Sequence, residues 1–271
     1  MADAVKLHYS EAGTGTPLVL LHGFPLSSEI WRVQRAGLNQ RWRVITPDLR
    51  GHGKSPAPEG MYEMEAMARD VLALLDSLRI AKAVIMGHSM GGYVTLAAAK
   101  IAPERFLGLG LIASQAAADT EEARQGRFKL IEKVAAEGSG AVAAAMIPRL
   151  FAPRGGVGND VIEEVRQMIL KTPRAGIVGA LQGMAARENT EAVLAKLTVP
   201  VLLLAGEHDQ IIPPAKSQAL AAAVSRATLA IVENAGHMPM LENPAETTAA
   251  IGEFLSKTVE GVEESKGSKG K

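Results

Sequence analysis

The sequence contains no cysteine. This absence excludes a thiol nucleophile, a cysteine-ligated zinc site, an iron–sulfur cluster and any disulfide framework. The chain does not need such supports, because 271 residues, 47% of them hydrophobic, are enough to bury a sizeable core. A chain without thiols is equally suited to a reducing and to an oxidising compartment.

The chain also lacks an excess of either charge, with 29 Lys and Arg against 29 Asp and Glu. Nucleic-acid binders usually carry a basic excess or a basic stripe, so no nucleic-acid partner is expected. No apolar run approaches the roughly 18 residues that a membrane span needs, and residues 1–6 lack the basic and apolar regions of a secretory signal. We therefore expect a cytoplasmic protein, a monomer or small homo-oligomer without a membrane partner, that acts on a small molecule.

Short apolar runs alternate with helical patterns along most of the chain. Strands are predicted at residues 17–21, 44–46, 83–86, 107–112, 201–204 and 228–232. Unbroken apolar strands of this length are typical of a parallel sheet that is covered on both faces. Helices are predicted between them at residues 64–78, 92–101, 213–224 and 244–255. The alternation predicts an α/β fold, a mostly parallel central sheet with helices on both faces.

The alternation stops between residues 115 and 197, where no strand pattern occurs. Four helical segments are predicted there, at residues 121–137, 141–150, 161–170 and 174–186. The sequence therefore predicts an all-helical insertion at 115–197 between two parts of the core, residues 1–114 and 198–256. Residues 257–271 are polar and rich in Gly, Ser, Lys and Glu, which predicts a disordered tail.

The strongest chemical signal is the segment Gly87-His88-Ser89-Met90-Gly91-Gly92. It follows a predicted strand and precedes an apolar helix, and its G-x-S-x-G pattern is that of a nucleophile elbow. The sharp turn exposes the Ser89 hydroxyl at the edge of the sheet, and the glycines leave room for that turn. The N-terminus of the following helix favours a developing negative charge. Ser89 is therefore the predicted nucleophile.

A serine hydroxyl needs a base to take its proton, and the base needs an acceptor that holds its tautomer. Of the six histidines, only His237 lies in a loop between the last strand and the last helix, at the carboxyl edge of the sheet. Asp209 follows the strand that begins at Val201, at the same edge. The order Ser89, Asp209, His237 is typical of nucleophile, acid and base. Glu207 remains open as an alternative acid.

An acyl-transfer site also needs two N–H donors for the oxyanion. The backbone N–H of Met90, directly after the nucleophile, is one candidate. The backbone N–H of Phe24, in the segment His22-Gly23-Phe24-Pro25 after the first predicted strand, is the other. Gly23 permits the tight turn, and we expect His22 to brace the loop rather than to react.

These motifs together resemble the α/β-hydrolase superfamily over residues 5–255. The segments His22-Gly23-Phe24-Pro25-Leu26 and Gly87-His88-Ser89-Met90-Gly91-Gly92, with Trp31 between them, resemble its esterase, lactonase and cofactor-free haloperoxidase (perhydrolase) branches. The resemblance extends to residues 48–55, where it implies an architectural role for Asp48 and Arg50. It also implies that the helical insertion is a cap over the active site, and that no metal or organic cofactor takes part.

The resemblance and the serine nucleophile together predict the reaction. Relatives that act on haloalkanes or epoxides carry an aspartate at the nucleophile position, so Ser89 makes those activities unexpected. We expect a carboxylic-ester hydrolase that acts on small, largely apolar esters or lactones through an acyl-enzyme. Perhydrolysis and C–C bond hydrolysis by the same triad are alternatives, and a non-catalytic binding protein of this fold is a third.

The substrate pocket is expected to be largely apolar. Its predicted lining residues are Trp31, Phe128, Met146, Ile147, Phe151, Met184 and Met238. Met and Phe at helical spacing also serve simply to pack helices together, so this alternative stays open. No Arg or Lys cluster lies near the motifs, which predicts an uncharged acyl chain unless cap arginines such as Arg124, Arg127 and Arg149 turn inward.

Overall fold

A computed structural model describes residues 4–153 and 156–267. Its centre is a seven-stranded sheet with the strand order β1-β3-β2-β4-β5-β6-β7. The strands are β1 (Tyr9–Ala12), β2 (Thr16–Leu21), β3 (Trp42–Pro47), β4 (Ala83–His88), β5 (Phe106–Ile112), β6 (Val201–Gly206) and β7 (Ala227–Val232). All neighbours pair in parallel except β1, which pairs antiparallel with β3.

The six predicted strands are all present, and the mostly parallel α/β fold is confirmed. Leu18 to Leu21 of β2 are completely buried, because helices cover both faces of the sheet. The pattern missed only β1. Its sequence, Tyr-Ser-Glu-Ala, has no continuous apolar run, since it lies at the edge of the sheet and is only partly buried.

Eleven α-helices occur in the described ranges, and the sequence pattern finds those of eight or more residues. They are α1 (Arg32–Leu38), α2 (Met64–Ser77), α3 (Met90–Ile101), α4 (Glu121–Glu137), α5 (Ser139–Leu150), α6 (Asn159–Lys171), α7 (Arg174–Ala186), α8 (Glu191–Lys196), α9 (Pro214–Ala223), α10 (Pro239–Glu242) and α11 (Pro244–Gly267). The helices that the pattern missed, α1, α8 and α10, are too short to display a full apolar stripe.

The helical insertion lies between β5 and β6 and consists of α4 to α8. Its four predicted helices are present with ends within two residues of those expected. The insertion contacts the core through α3, which packs against α8. Thr172, directly after α6, also donates its hydroxyl to the carbonyl of Pro25, at 2.8 Å, and so joins the insertion to the loop after β2.

The last helix is longer than the sequence pattern indicates. The pattern ends it at Leu255 and predicts a disordered tail from residue 257, but α11 continues to Gly267. Residues 257–267 thus continue the helix, and residues 268–271 lie outside the described part. Glu and Lys are good helix formers, and extending an existing helix carries no nucleation cost. Within the described ranges, no helix combines the length and the apolar character needed to cross a membrane.

The parallel arrangement decides where the functional loops meet. Strands β2, β4, β6 and β7 all end at the same edge of the sheet. The loops that follow them carry, respectively, Phe24, Ser89, Asp209 and His237. Four segments that are far apart in the chain thus converge at one edge, in the position where ligands bind in open α/β sheets.

Candidate active site

The turn at Ser89 has the strained backbone of a nucleophile elbow. Its φ of 49° and ψ of −114° lie in a region that non-glycine residues rarely adopt, at a cost of about 1–3 kcal/mol. A side chain at Gly87 would overlap the backbone of Gly91, and one at Gly91 would lie 2.7 Å from the carbonyl oxygens of Leu21 and His22. The predicted need for small residues around the nucleophile is therefore confirmed.

Neighbouring strands hold the elbow in place. The Ser89 N–H donates to the carbonyl of Ile112 at 2.9 Å, and the Ser114 hydroxyl donates to the Ser89 carbonyl at 2.8 Å. Ser89 is partly exposed, whereas the residues on either side of it are buried. The nucleophile is thus fixed by its backbone, and its side chain is left accessible.

The structure brings His237 and Asp209 together, as the sequence predicts. The His237 Nδ1 lies 2.8 Å from the Asp209 Oδ2, and both side chains are buried. The other carboxylate oxygen, Oδ1, accepts the N–H groups of Ile211 and Ile212 at 2.8 and 2.9 Å. Asp209 therefore offers one oxygen to the imidazole, an arrangement that favours the tautomer with its proton on Nδ1 and the basic nitrogen at Nε2.

The alternative acid, Glu207, faces away from this pair. Its carboxylate accepts the Asn234 N–H at 3.1 Å and lies 3.5 Å from the His208 ring. Nearly half of its side chain is exposed. The geometry therefore favours Asp209 as the acid.

His88 links the elbow to the loop that carries the base. Its Nε2–H donates to the His237 carbonyl at 2.8 Å, and the two rings lie 4.8 Å apart. Burial holds the pKa of His88 well below its usual range, so this ring stays neutral beside His237. Within the part of the chain that is described, no hydrogen bond joins Ser89 to His237. This contact is often long before substrate binds.

The loop after β2 lies directly against the elbow. A Cβ on Gly23 would be 2.5 Å from the His88 Nδ1 and 3.2 Å from the Ser89 Cβ, so only glycine fits there. Among the described residues, the backbone N–H groups of Phe24 and Met90 have no protein acceptor. The assignment of these two N–H groups to an oxyanion hole stays a prediction.

The remaining buried histidines and acids of this region have structural roles. The His22 Nδ1 donates to the carbonyl of Gly23 and its Nε2 accepts the N–H of Leu49, both at 2.9 Å, which confirms that His22 braces the loop. Asp48 accepts backbone N–H groups, and Arg50 pairs with Asp70. Across the described ranges, no three His, Cys, Asp or Glu side chains are grouped so as to hold a metal ion.

Sequence reasoning missed Glu242, whose carboxylate accepts three backbone N–H groups. Its Oε1 accepts those of Gly236 and Met238 at 2.9 and 3.0 Å, on either side of the base. Its Oε2 accepts that of Ala152 at 2.7 Å, just after α5 in the cap. One carboxylate therefore ties the base loop to the cap. The only signal for it in the sequence is an acidic residue five positions after His237.

A second contact reinforces this link. The His237 N–H donates to the carbonyl of Leu150, the last residue of α5, at 2.9 Å. Burial raises the pKa of Glu242, and the negative charge of Asp209 adds to the shift. The base loop and the cap are thus one hydrogen-bonded unit around His237.

A cavity of about 510 Å³ opens between the cap and this edge of the sheet. Phe24, from the loop after β2, and Ile211 and Ile212, from the loop that carries Asp209, line it. Helices α4 and α5 form its outer walls. Its size is typical of small-molecule sites, and its position joins it to the catalytic loops.

The charge of this cavity differs from the expectation. Arg127, Lys129, Lys133 and Arg149 line it, and Asp119 is the only acidic residue in its lining. Apolar side chains still make up most of the lining, as expected, but these positive charges do not match the expectation of an uncharged acyl chain. That expectation excepted the case in which cap arginines turn inward. Two of the three arginines considered, Arg127 and Arg149, do line the cavity. The third, Arg124, lies over the exposed ring of Phe128 and pairs with Glu121.

Of the seven predicted lining residues, Met146 is the one found in the lining of this cavity in the described ranges. Phe128 is 39% exposed on the outer face of α4. Trp31 is completely buried, with its ring edge-on to His88. Phe151, Met184 and Met238 pack in the hydrophobic core, and the partly buried Ile147 packs against it. Helical spacing marks an apolar residue but not the cap face on which it lies.

Comparisons with known proteins agree with this geometry. The sequence model of a family described as the alpha/beta hydrolase fold matches residues 16–244. The structure of a thermophilic esterase from Thermogutta terrifontis, with malate bound, is 41% identical, covers 94% of both chains and superposes with a TM-score of 0.90. The 3-oxoadipate enol-lactonase 2 of Acinetobacter baylyi is 29% identical over 92% of this chain and 93% of its own.

A further relative is longer than this chain. The dihydrolipoyllysine-residue acetyltransferase component of the acetoin cleaving system of Pseudomonas putida is 36% identical over 90% of this chain, which spans 64% of that protein's length. The family match, in contrast, extends from β2 to the start of α11 and includes the elbow, the acid loop and the base loop. The chain therefore belongs to the alpha/beta hydrolase family.

Proposed function

We propose that the protein is a serine hydrolase that cleaves small carboxylic esters or lactones through an acyl-enzyme. The observation that carries the proposal is the buried pair of His237 and Asp209, at 2.8 Å, at the same sheet edge as the strained Ser89 turn. The esterase and enol-lactonase relatives support this choice of substrate.

The first half of the reaction forms the acyl-enzyme. The Ser89 Oγ attacks the carbonyl carbon, while the His237 Nε2 takes the hydroxyl proton. The N–H groups of Phe24 and Met90 stabilise the oxyanion of the tetrahedral intermediate. When the intermediate collapses, the bond to the alcohol oxygen breaks and His237 returns the proton to that oxygen.

Water completes the cycle. His237 takes a proton from the water, whose oxygen attacks the acyl carbon. The Ser89 Oγ then leaves with the proton from His237, and a carboxylic acid is released. Asp209 stays ionised throughout and stabilises the imidazolium. With a lactone, alcohol and acid remain in one product.

The test is the hydrolysis of 4-nitrophenyl acetate, butyrate, octanoate and decanoate by the wild type and by Ser89→Ala. We expect turnover that is lost in Ser89→Ala and a chain-length profile that reflects the cavity. A fluorophosphonate should add its mass to the peptide that contains Ser89 in the wild type only. Equal turnover by both proteins would contradict the proposal.

The same assay separates the alternatives. Perhydrolysis and C–C bond hydrolysis use the same acyl transfer, so each would also depend on Ser89. A folded wild type that does not hydrolyse these esters, but forms peracetic acid from acetate and hydrogen peroxide, would be a perhydrolase, and the peracetic acid would oxidise added halide. Cleavage of a β-diketone would instead favour C–C bond hydrolysis. Ligand binding without any Ser89-dependent turnover would favour a binding protein of this fold.

A further inference from the structure

We propose that the mouth of the cavity is an anion subsite that selects esters or lactones carrying a carboxylate away from the reacting carbonyl. This inference rests on the proposed function and specifies its substrate class. It is carried by positive side chains that two cap helices direct to one opening.

The helix α4 supplies two of these cations. Lys129 and Lys133 lie four residues apart, so they occupy adjacent turns of the same face of α4, and both line the cavity. Like charges at this spacing destabilise a helix slightly. In the described ranges, neither has a carboxylate within 4 Å. A bound anion would relieve this repulsion.

The neighbouring helix α5 supplies a third cation. Arg149 lines the same cavity, and in the described ranges it has no carboxylate partner. One of its guanidinium nitrogens donates to the carbonyl of Gln210 at 3.1 Å. Gln210 directly follows Asp209, so this contact anchors the guanidinium beside the catalytic acid loop. Its other N–H groups remain for a carboxylate, which a guanidinium can bind through two parallel hydrogen bonds.

The one acidic residue of the lining is already neutralised. Asp119 pairs with Arg127 and also with Arg187, whose NH1 is 2.7 Å from its Oδ1. Arg187 in turn lies over the Tyr93 ring at 4.0 Å. Two guanidinium groups therefore share one carboxylate, so this cluster adds positive charge to the cavity.

Exposed cations on a helix are commonly just solvated surface groups. Here they face one opening from two helices, in a chain whose net charge is zero. A cleft lined by one sign of charge focuses the field and raises the local concentration of ions of opposite sign. Lys129, Lys133 and Arg149 are exposed. We therefore expect them to raise kcat/KM for anionic substrates, and we expect this effect to decrease as salt is added.

The experiment uses two matched pairs of esters. The first pair, mono-(4-nitrophenyl) pimelate and 4-nitrophenyl heptanoate, differs by a carboxylate in place of a methyl group on the acyl side. The second, 4-(carboxymethyl)phenyl butyrate and 4-ethylphenyl butyrate, makes the same change on the alcohol side. In at least one pair, we expect kcat/KM to be about tenfold higher for the anionic ester at low ionic strength. The ratio should fall towards one in about 1 M salt, where the Debye length is about 3 Å.

Variants assign the preference to the subsite. Lys129→Gln/Lys133→Gln and Arg149→Gln should each lower the ratio of anionic to neutral kcat/KM several-fold. The control, Lys171→Gln, removes an exposed cap lysine at the end of α6, outside the cavity, and should keep the wild-type ratio. Circular dichroism and Tm verify that all variants are folded.

The outcomes separate this inference from the proposed function. Neutral esters hydrolysed in a Ser89-dependent way, with no anionic preference in either pair, would overturn the subsite and leave the serine hydrolase intact. A preference that survives both sets of variants would also overturn it. Failure of the wild type to hydrolyse any of the four esters would overturn both.

Discussion

The catalytic loops and the cavity walls are held by different means. At the sheet edge, Ser89, Asp209 and His237 are positioned by backbone strain, close glycine contacts and buried hydrogen bonds. In the cap, Lys129 and Arg149 reach the cavity as exposed side chains on helices. If the proposed function holds, the reaction chemistry depends on rigid backbone, and selectivity depends on surface side chains that tolerate substitution. Changes at the sheet edge should therefore abolish activity, whereas changes in the cap should only alter it by smaller factors.

The largest effect is expected at the nucleophile and the base. Ser89→Ala and His237→Ala should each lower kcat by about 10⁶-fold, and the double variant should lose no more, because the triad acts as a unit. Steady-state hydrolysis of 4-nitrophenyl butyrate measures this. Losses that multiply in the double variant would argue against a shared mechanism.

The next effect tests the acid. In Asp209→Asn, the amide oxygen can still accept the N–H groups of Ile211 and Ile212. The amide nitrogen then presents its N–H to the His237 Nδ1, which had donated to the carboxylate. This change favours the wrong tautomer of the imidazole, so kcat should fall by about 10⁴-fold while Tm changes little. Glu207→Gln is the matched control at the half-exposed neighbouring carboxylate and should stay near the wild type. The reverse pattern would transfer the acid role to Glu207.

Glu242 tests the junction between the two regions. In Glu242→Gln, the amide oxygen can keep the N–H groups of Gly236 and Met238, while the amide nitrogen meets that of Ala152. A buried donor without a partner costs about 1–3 kcal/mol, so Tm should fall with a modest loss of kcat. Glu242→Ala releases the base loop as well and should lose at least tenfold more kcat.

The control for this pair is Glu233→Gln, an exposed carboxylate in the same loop, which should resemble the wild type. Equal kcat in the wild type, Glu242→Gln and Glu242→Ala would show that the cap and the base loop are positioned independently. Glu242 would then not couple the sheet edge to the cap.

The buried histidines predict acid sensitivity of the rigid region. Burial lowers the pKa of His52 to about 3 and also lowers the pKa values of His22 and His88. The unfolded chain binds these protons near pH 6.5 and the folded chain does not, so stability is lost as the pH falls below that value. Each histidine contributes up to about 1.4 kcal/mol per pH unit.

Urea unfolding at about pH 7, 6 and 5 measures this slope in the wild type and in His52→Asn. In His52→Asn, the free energy of unfolding should depend less on pH than in the wild type. The control His208→Gln removes an exposed histidine and should keep the wild-type dependence. A free energy of unfolding that is constant over this range would contradict the buried, neutral state of the three rings.

The smallest effect is expected on the outer cap surface. Phe128→Ala removes a side chain that is 39% exposed and outside the cavity, so kcat/KM for the 4-nitrophenyl series should stay within about twofold and stability within about 0.5 kcal/mol. Met146→Ala, in the cavity wall, should instead shift the preferred chain length. A larger shift from Phe128→Ala would place the substrate elsewhere in the cap.

Local patterns sufficed for the six apolar strands and for the loops that carry Ser89, Asp209 and His237. A buried parallel strand must be apolar throughout, and a nucleophile elbow requires glycines at defined spacing around Ser89. Strand β1 escaped detection because its pairing with β3, rather than its own composition, makes it a strand. The residues that line the cavity from the cap could not be predicted, because apolar spacing does not show which face of a helix meets the cavity.

The sequence by itself determined the α/β fold, the helical insertion and the loops that carry Ser89, Asp209 and His237, since each depends on neighbouring residues and on strand ends. Only the tertiary structure decided that Glu242 joins the base loop to Ala152, and that Lys129, Lys133 and Arg149 face one cavity. The physical reason is that these contacts are long-range in the sequence. These contacts join residues up to 90 positions apart, and their meeting depends on how the cap packs on the sheet edge.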